Sequence, residues 1–322
     1  MQQRPLGRSG LSVSRLALGT MTWGHDTDPD DAGAQLKSFV DAGGTLVDTA
    51  DVYADGEAEA VLGTLLDAMV PREELLIVGK AGVRAHGPRR RDSSRGHLLR
   101  SLDVTLRRLG TDYLDLWQLH GADPATPLEE TMSAVDFAVS TGRVRYAGVA
   151  NFTGWQLARA ATWQQAWPQR APIVVAGFEY SLLERCVERE ALPACEALGV
   201  GCLPWSPLGR GVLTGKYRNG RPADSRAASA QYEQFVLAYL DPRCSAIVEA
   251  VMTAAQGLGV SPAQVALAWV RDRPGVTAPV LGARTVDQLV EALRCEQIEL
   301  PLEISRALDD VSAIDVADIE VA

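Results

Sequence analysis

The sequence predicts an α/β fold of the (β/α)8 TIM-barrel type, with an N-terminal extension and an inserted helical segment before the eighth strand. Short apolar runs alternate with longer segments of helical period, which is the pattern of parallel βα units. Eight such runs can be counted. The 322 residues also suit one barrel of about 250 residues plus insertions, so a single domain over residues 1–322 is expected.

The first run, Leu16 to Gly19, leads into a helical pattern at Asp30 to Asp41; Thr45 to Thr49 leads into Glu57 to Met69, and Leu75 to Gly79 into Ser94 to Leu109. That third helix is the clearest. Leu98, Leu99, Leu102, Leu106 and Leu109 form one stripe, with Ser93 or Ser94 as N-cap and Gly110 just past the end. Tyr113 to Leu119 precedes Leu128 to Ser140, Tyr146 to Ala150 precedes Gly154 to Trp163, and Ile173 to Phe178 precedes Val187 to Leu198. After the seventh run, Gly201 to Trp205, the stretch Arg210 to Asp241 is rich in Gly, Pro, Ser and Arg and reads as a long functional loop. Ser245 to Gly257 and Pro262 to Asp272 are the inserted helices, and Ala278 to Leu281 with Thr285 to Leu293 completes the set. No internal repeat is visible.

Composition narrows the function classes. Thirty-one basic residues against 41 acidic ones give a net charge of −10, which repels phosphate backbones and anionic lipid, so neither nucleic acid nor membrane is expected as a partner. The basic cluster Arg84 to Arg95 is interrupted by Gly87 and Pro88 and lacks aromatic residues for base stacking, so it reads as a solvated loop. Cys186, Cys195, Cys202, Cys244 and Cys295 form no C-x-x-C pair and read as buried free thiols in a reducing compartment. No apolar signal core and no membrane-length apolar run is present, so a cytoplasmic monomer or weak homo-oligomer is expected.

In a barrel of this kind, catalytic residues come from the C-terminal ends of several strands. Asp48 follows Leu46-Val47, Lys80 follows Leu75 to Gly79, His120 follows Leu114 to Leu119, and Tyr53 lies in the loop leaving the second strand. Singly, each has an ordinary structural reading as a cap, a surface charge, a core residue or packing. Jointly, an acid, a base, a phenol and an imidazole at one rim form an acid–base constellation.

The segment G-G-T-L-V-D-T-A-D-V-Y, Gly43 to Tyr53, with Glu59 and Leu62-Gly63, resembles the first signature of the aldo-keto reductase family. Leu99 to His120, Gly142 to Phe152, Glu179 to Arg185, Trp205 to Gly211 and the G-A-R-T of the eighth strand resemble its later motifs, so the likeness covers nearly the whole chain. The resemblance implies that Asp48, Tyr53, Lys80 and His120 are the catalytic tetrad. Carbonyl reduction needs a hydride at carbon and a proton at oxygen, and a phenol of ordinary pKa near 10 is a reluctant donor and acceptor at neutral pH. A cation at Lys80, held by Asp48, would favour phenolate and make Tyr53 usable in both directions, while His120 orients the carbonyl oxygen.

Neither common phosphate-loop pattern is present: Thr214 interrupts a dinucleotide fingerprint at Gly209-Arg210-Gly211, and Arg210 and Tyr217 spoil a P-loop ending at Gly215-Lys216. Barrels bind phosphate instead with the loops after the seventh and eighth strands, here Ser206 to Gly211 and Gly282 to Thr285. The resemblance implies NADP(H) as cofactor, with Trp205 stacked on the nicotinamide, Asn151 on its carboxamide, and Ser206, Pro207, Leu208 and Gly209 around the pyrophosphate. Gly19, Thr20 and Met21 after the first strand, together with Gly211, Gly282 and Gln288, complete the implied contacts. Arg284 is the candidate for the adenosine 2′-phosphate, which a guanidinium matches bidentately, with an ordinary surface residue as the alternative. Gly177, Ala150 and Ala292 depart from the family pattern, which often has Gln, Ser and Asn there.

The expected function is NADPH-dependent reduction of a small aldehyde or ketone, with Trp23, Tyr53, His120 and the 210–241 loop shaping the substrate pocket. A cofactor-binding regulatory barrel with little turnover, as in potassium-channel β subunits, is the alternative. A metal-dependent hydrolase would need clustered ligands, and the chain has only His25, His86, His97 and His120.

Overall fold

The computed structural model describes residues 1–223, 225–228 and 233–314. A short antiparallel hairpin, β1 (Gln3–Pro5) and β2 (Ser12–Ser14), precedes eight parallel strands. These are β3 (Ala17–Gly19), β4 (Leu46–Asp48), β5 (Leu76–Ala81), β6 (Leu114–Leu119), β7 (Val144–Ala150), β8 (Ile173–Glu179), β9 (Gly201–Trp205) and β10 (Val280–Gly282). The sheet order β10-β3-β4-β5-β6-β7-β8-β9 is that of a barrel. Closure comes just before β10, where the Thr277 amide donates to the Cys202 carbonyl at 2.8 Å. Each expected apolar run overlaps one strand to within two residues at either end, because strands covered on both faces must be apolar throughout.

Leu6 and Val13 from the hairpin are fully buried with the inward-facing Leu46, Val78, Leu116, Val175 and Leu203. The hairpin therefore plugs the N-terminal mouth of the barrel. Gly7 makes this approach possible: with φ at +54° it lies so close that a Cβ would fall 2.5 Å from the Gly199 carbonyl oxygen. A second, larger core lies between the strands and their helices.

Several element ends differ from the sequence expectation. The helix expected to reach Met69 stops at Leu65, since Leu66 is extended and Asp67 turns left-handed at φ +60°. The helix expected from Val187 begins at Ala191, which leaves Pro193 in the first turn, where its missing N–H costs nothing. Ser94 stands at the N-cap of Arg95–Leu109, but its hydroxyl donates to Asp92 Oδ1 at 2.6 Å instead of capping. The stretch 210–241 contains short helical turns at Gly209–Thr214, Arg226–Ala228 and Glu233–Leu237, while residues 224 and 229–232 lie outside those described. The insertion forms helices Pro242–Leu258 and Pro262–Arg271, and a helix that the sequence reading omitted, Leu302–Val311, packs against the former. Four of the five cysteines are buried; Cys186 is exposed, contrary to expectation. Among the described residues, no single helix is long and apolar enough to cross a membrane.

Candidate active site

Alternation with period two fixes which strand residues face the barrel axis. Leu46, Val78 and Leu116 fill the interior, and two residues further along each strand come Asp48, Lys80 and Gln118, followed by His120 at the end of β6. With Tyr53 they line a cavity of about 520 Å3 at the C-terminal ends of the strands. Lys80 lies within β5, not after it as the sequence reading had placed it.

Lys80 Nζ donates to Asp48 Oδ2 at 2.6 Å and to the Thr49 carbonyl at 2.9 Å, and reaches the Tyr53 hydroxyl at 3.4 Å. The Tyr53 and His120 rings meet edge to face with centroids 6.0 Å apart. Burial opposes the charge on Lys80, but Asp48 and Tyr53 outweigh it and raise its pKa, so it is an ammonium. Burial also raises the Tyr53 phenol, and the pull of Lys80 offsets this only in part. Lys80 pulls toward the phenolate, but desolvation outweighs that pull, and at neutral pH the resting hydroxyl keeps its proton. His120 is lowered to about 3 by burial, aided by Lys80 and Arg91, and is neutral; its Nδ1 is buried without a partner.

The loop carrying Tyr53 is wound around one guanidinium. Arg108 donates to the Asp51 and Asp55 carbonyls, both at 3.2 Å, and to Glu59 Oε2 at 3.0 Å, while Thr105 holds Glu59 Oε1 at 2.8 Å. To pass around it, Ala54 and Asp55 take left-handed φ angles of 48° and 54°, and Gly56 takes 95°. A Cβ at Gly56 would fall 2.0 Å from Arg108 Cζ. Arg108 did not stand out in the sequence, where it is one arginine in a helix stripe.

Asn151 and Ser206, the first residues beyond β7 and β9, turn left-handed at φ 57° and 52° and so bend the chain along the rim. The Asn151 amide is engaged on both atoms, donating to the His120 carbonyl and accepting from the Trp205 indole, each at 3.0 Å. From Trp205 the cavity continues past Ser206, Pro207, Leu208 and Gly211 to Gly282, Arg284, Gln288 and Ala292. At that far end helix Val286–Leu293 starts, with Thr285 accepting from the Gln288 amide and Gln288 Oε1 accepting from the Arg284 amide at 3.0 Å. The capped start of helix Pro262–Arg271 lies on the same wall, as do Lys216, Arg226 and Phe235. From the sequence the 210–241 loop is expected at the pocket and Pro262 to Asp272 as a helix, but none of these residues is assigned to a cofactor, although the S-P-A-Q capping box at Ser261 to Gln264 is visible. Arg210 secures the covering segment, pairing with Glu179 at 2.6 and 2.8 Å and stacking 3.7 Å above the Phe235 ring.

Gly19 and Met21 are on the cavity wall, and Gly177 and Ala150 are too. Thr20 is buried behind it and bonds the Asp48 carbonyl at 3.1 Å, while Gly209 turns the chain against Leu183. Trp23, expected in the substrate pocket, is instead fully buried in the outer core, its indole donating to Gln35 Oε1 at 3.1 Å. An apolar ring with its one donor satisfied gains more there than at an open rim.

The family model described as Aldo/keto reductase family matches residues 15–313. The chain is 36% identical over 318 residues to a probable voltage-gated potassium channel subunit beta of Oryza sativa subsp. japonica, covering 98% of this chain and 96% of that one. It is 36% identical to the uncharacterized oxidoreductase YrpG of Bacillus subtilis, over 97% of this chain and 96% of the other. It is also 36% identical to the L-glyceraldehyde 3-phosphate reductase of Escherichia coli (strain K12), over 90% and 86% respectively.

Proposed function

The chain belongs to the aldo/keto reductase family, and from that membership we propose that it is an NADPH-dependent enzyme reducing small aldehydes or ketones to alcohols. The observation that supports this reading is the Lys80 ammonium held between Asp48 and the protonated Tyr53 on the cavity wall. The elongated cavity suits an anionic dinucleotide, since two helix N-termini converge with Lys216, Arg226 and Arg284 at the end away from Tyr53. Trp205, Ser206 to Gly211, Gly282 and Arg284 would hold it, with Arg284 on the 2′-phosphate. Bound there, the nicotinamide supplies the hydride.

Tyr53 gives its proton to the carbonyl oxygen as charge develops there, and Lys80 stabilises the phenolate left behind. Asp48 keeps that ammonium in place. His120, neutral through the working pH range, offers an N–H to the same oxygen when its proton sits on Nε2. The Arg108 cradle holds the Tyr53 loop against Lys80. On the composition read above, the protein works in the cytosol as a monomer or weak homo-oligomer.

Tyr53→Phe tests the mechanism. Carbonyl reduction is expected to fall by about 10²- to 10⁴-fold or more, while NADPH affinity, titrated by fluorescence, stays near wild type. Undiminished turnover would sink the assignment. The kinship with potassium channel β subunits favours a second reading, a cofactor-bound regulatory partner. A wild-type protein that binds NADPH yet turns over none of a panel of aldehydes, ketones and quinones would support it.

A further inference from the structure

Gln118 is a polar residue in the middle of a strand buried on both faces, and it is 1% exposed. Its Nε2 has no hydrogen-bond partner among the described residues. Buried amides left unpaired are costly, so each one calls for an explanation. The side chain lies on the wall of the cavity that holds Tyr53, Lys80 and His120.

Its neighbours on the next strands are small. Gln118 stands in register with Gly148 of β7, where a Cβ would lie 3.2 Å from Gln118 Cγ. On β8, a Cβ at Gly177 would lie 3.5 Å from Gln118 Oε1. The side chain thus runs from β6 past Gly148 of β7, and its Oε1 ends beside Gly177 of β8. At the Tyr53 end of the cavity, the Asn151 amide is engaged on both atoms by His120 and Trp205, and the Gln118 amide has an unpartnered nitrogen.

Resting on the cofactor reading above, we propose that Gln118 is a cofactor-positioning residue whose amide pairs with the carboxamide of the nicotinamide ring. An amide both donates and accepts, and its best complement is another amide. A substrate carbonyl only accepts, and Tyr53 and His120 already converge on it. Gln118 also lies two residues deeper in the barrel than His120 on the same strand face. With substrate entering from the rim, the hydride-donating ring has to lie on that deeper side.

The test compares two ligands, NADP+ and its 3-acetylpyridine analogue, which lacks the carboxamide NH2 group, by quenching of protein tryptophan fluorescence in the full-length wild type and in Gln118→Leu. The wild type is expected to prefer NADP+ several-fold. In the variant both ligands lose the bond to the carbonyl oxygen and NADP+ also loses the one from its NH2 group, so NADP+ should weaken about three- to tenfold more than the analogue and the preference collapses. The melting temperature should hold or rise, because an unpaired buried amide has been removed. Should Gln118→Leu not fold, Gln118→Met carries the same comparison. An unchanged ligand preference in a folded variant overturns the proposal while leaving the cofactor reading intact. A wild type that binds neither ligand overturns the cofactor reading, and this proposal with it.

Discussion

At Tyr53 a cation and a desolvated environment pull in opposite directions, and the sequence displays only the cation. Lys80 can be read from its place after an apolar run, but the depth of burial that keeps the phenol protonated follows from how the loop folds over the cavity. The same holds for Asp51. Burial, with Glu59 adding, raises its carboxyl from 3.8 to about 7, against the pull of Arg108 and Lys80 and a hydrogen bond from Ser101. One of its oxygens is buried without a partner. Between about pH 4 and 7 the folded chain keeps a proton that the unfolded chain has released, so the stability from this group is full below about pH 4 and is lost as pH rises through 7. Asp51→Asn should remove that loss, and its stability relative to wild type should grow between urea melts at pH 5 and pH 8. A constant difference across those two melts would mean that Asp51 does not titrate there. Gln118 was legible in part: counting back two from His120 puts it on the inner face, and a glutamine among leucines in a buried strand is out of keeping with its surroundings.

Among the elements, the buried strands were the most legible, since burial on two faces leaves a continuous apolar signature, and their ends were the least. Whether a helix stops at Leu65 or Met69 depends on a left-handed Asp67 and on the Leu66 to Val70 bridge, neither of which changes the apolar stripe. Helix Leu302–Val311 has no apolar stripe legible in the sequence, because only Leu308 along it is buried. The helix Val286–Leu293 was recognised, and its start carries a prediction. Arg284 sits immediately before the Thr285 cap, on the cavity wall. One charge-assisted pair contributes roughly 1.5–3 kcal/mol, so Arg284→Ala should weaken NADPH about ten- to a hundredfold and NADH little. Equal losses for the two cofactors would place Arg284 in a structural role.

For the whole molecule, chemistry and closure lie at opposite ends of one barrel. The C-terminal rim carries the proposed tetrad and the long cavity; the N-terminal mouth is sealed by the β1–β2 hairpin, with Leu6 fully buried in the inner core. Leu6→Ala should therefore cost about 2–5 kcal/mol of stability while cofactor affinity and KM stay unchanged in the folded fraction. A shift in KM of the folded protein would show that the two ends are coupled. Only the tetrad end could be read as functional from sequence; the hairpin, short and half polar, gave no signal beyond an extension.

That seal also sets an order of events. Arg4 donates to the Arg271 carbonyl at 2.7 Å and to the Val276 carbonyl at 3.2 Å, and Arg15 pairs with Glu296 at 2.8 Å. Residues early in this sequence are thus held by others about 270 to 280 positions later. Until the chain has reached position 296 these ties are missing, although the 1–14 segment already meets Ala42, Thr45 and Gly199, and the last strand, which must pair with the first of the barrel, is not yet in place. Contacts this remote in sequence form slowly. The nascent barrel therefore stays open along one seam until β10 is made, and its exposed strand edges need shielding until then.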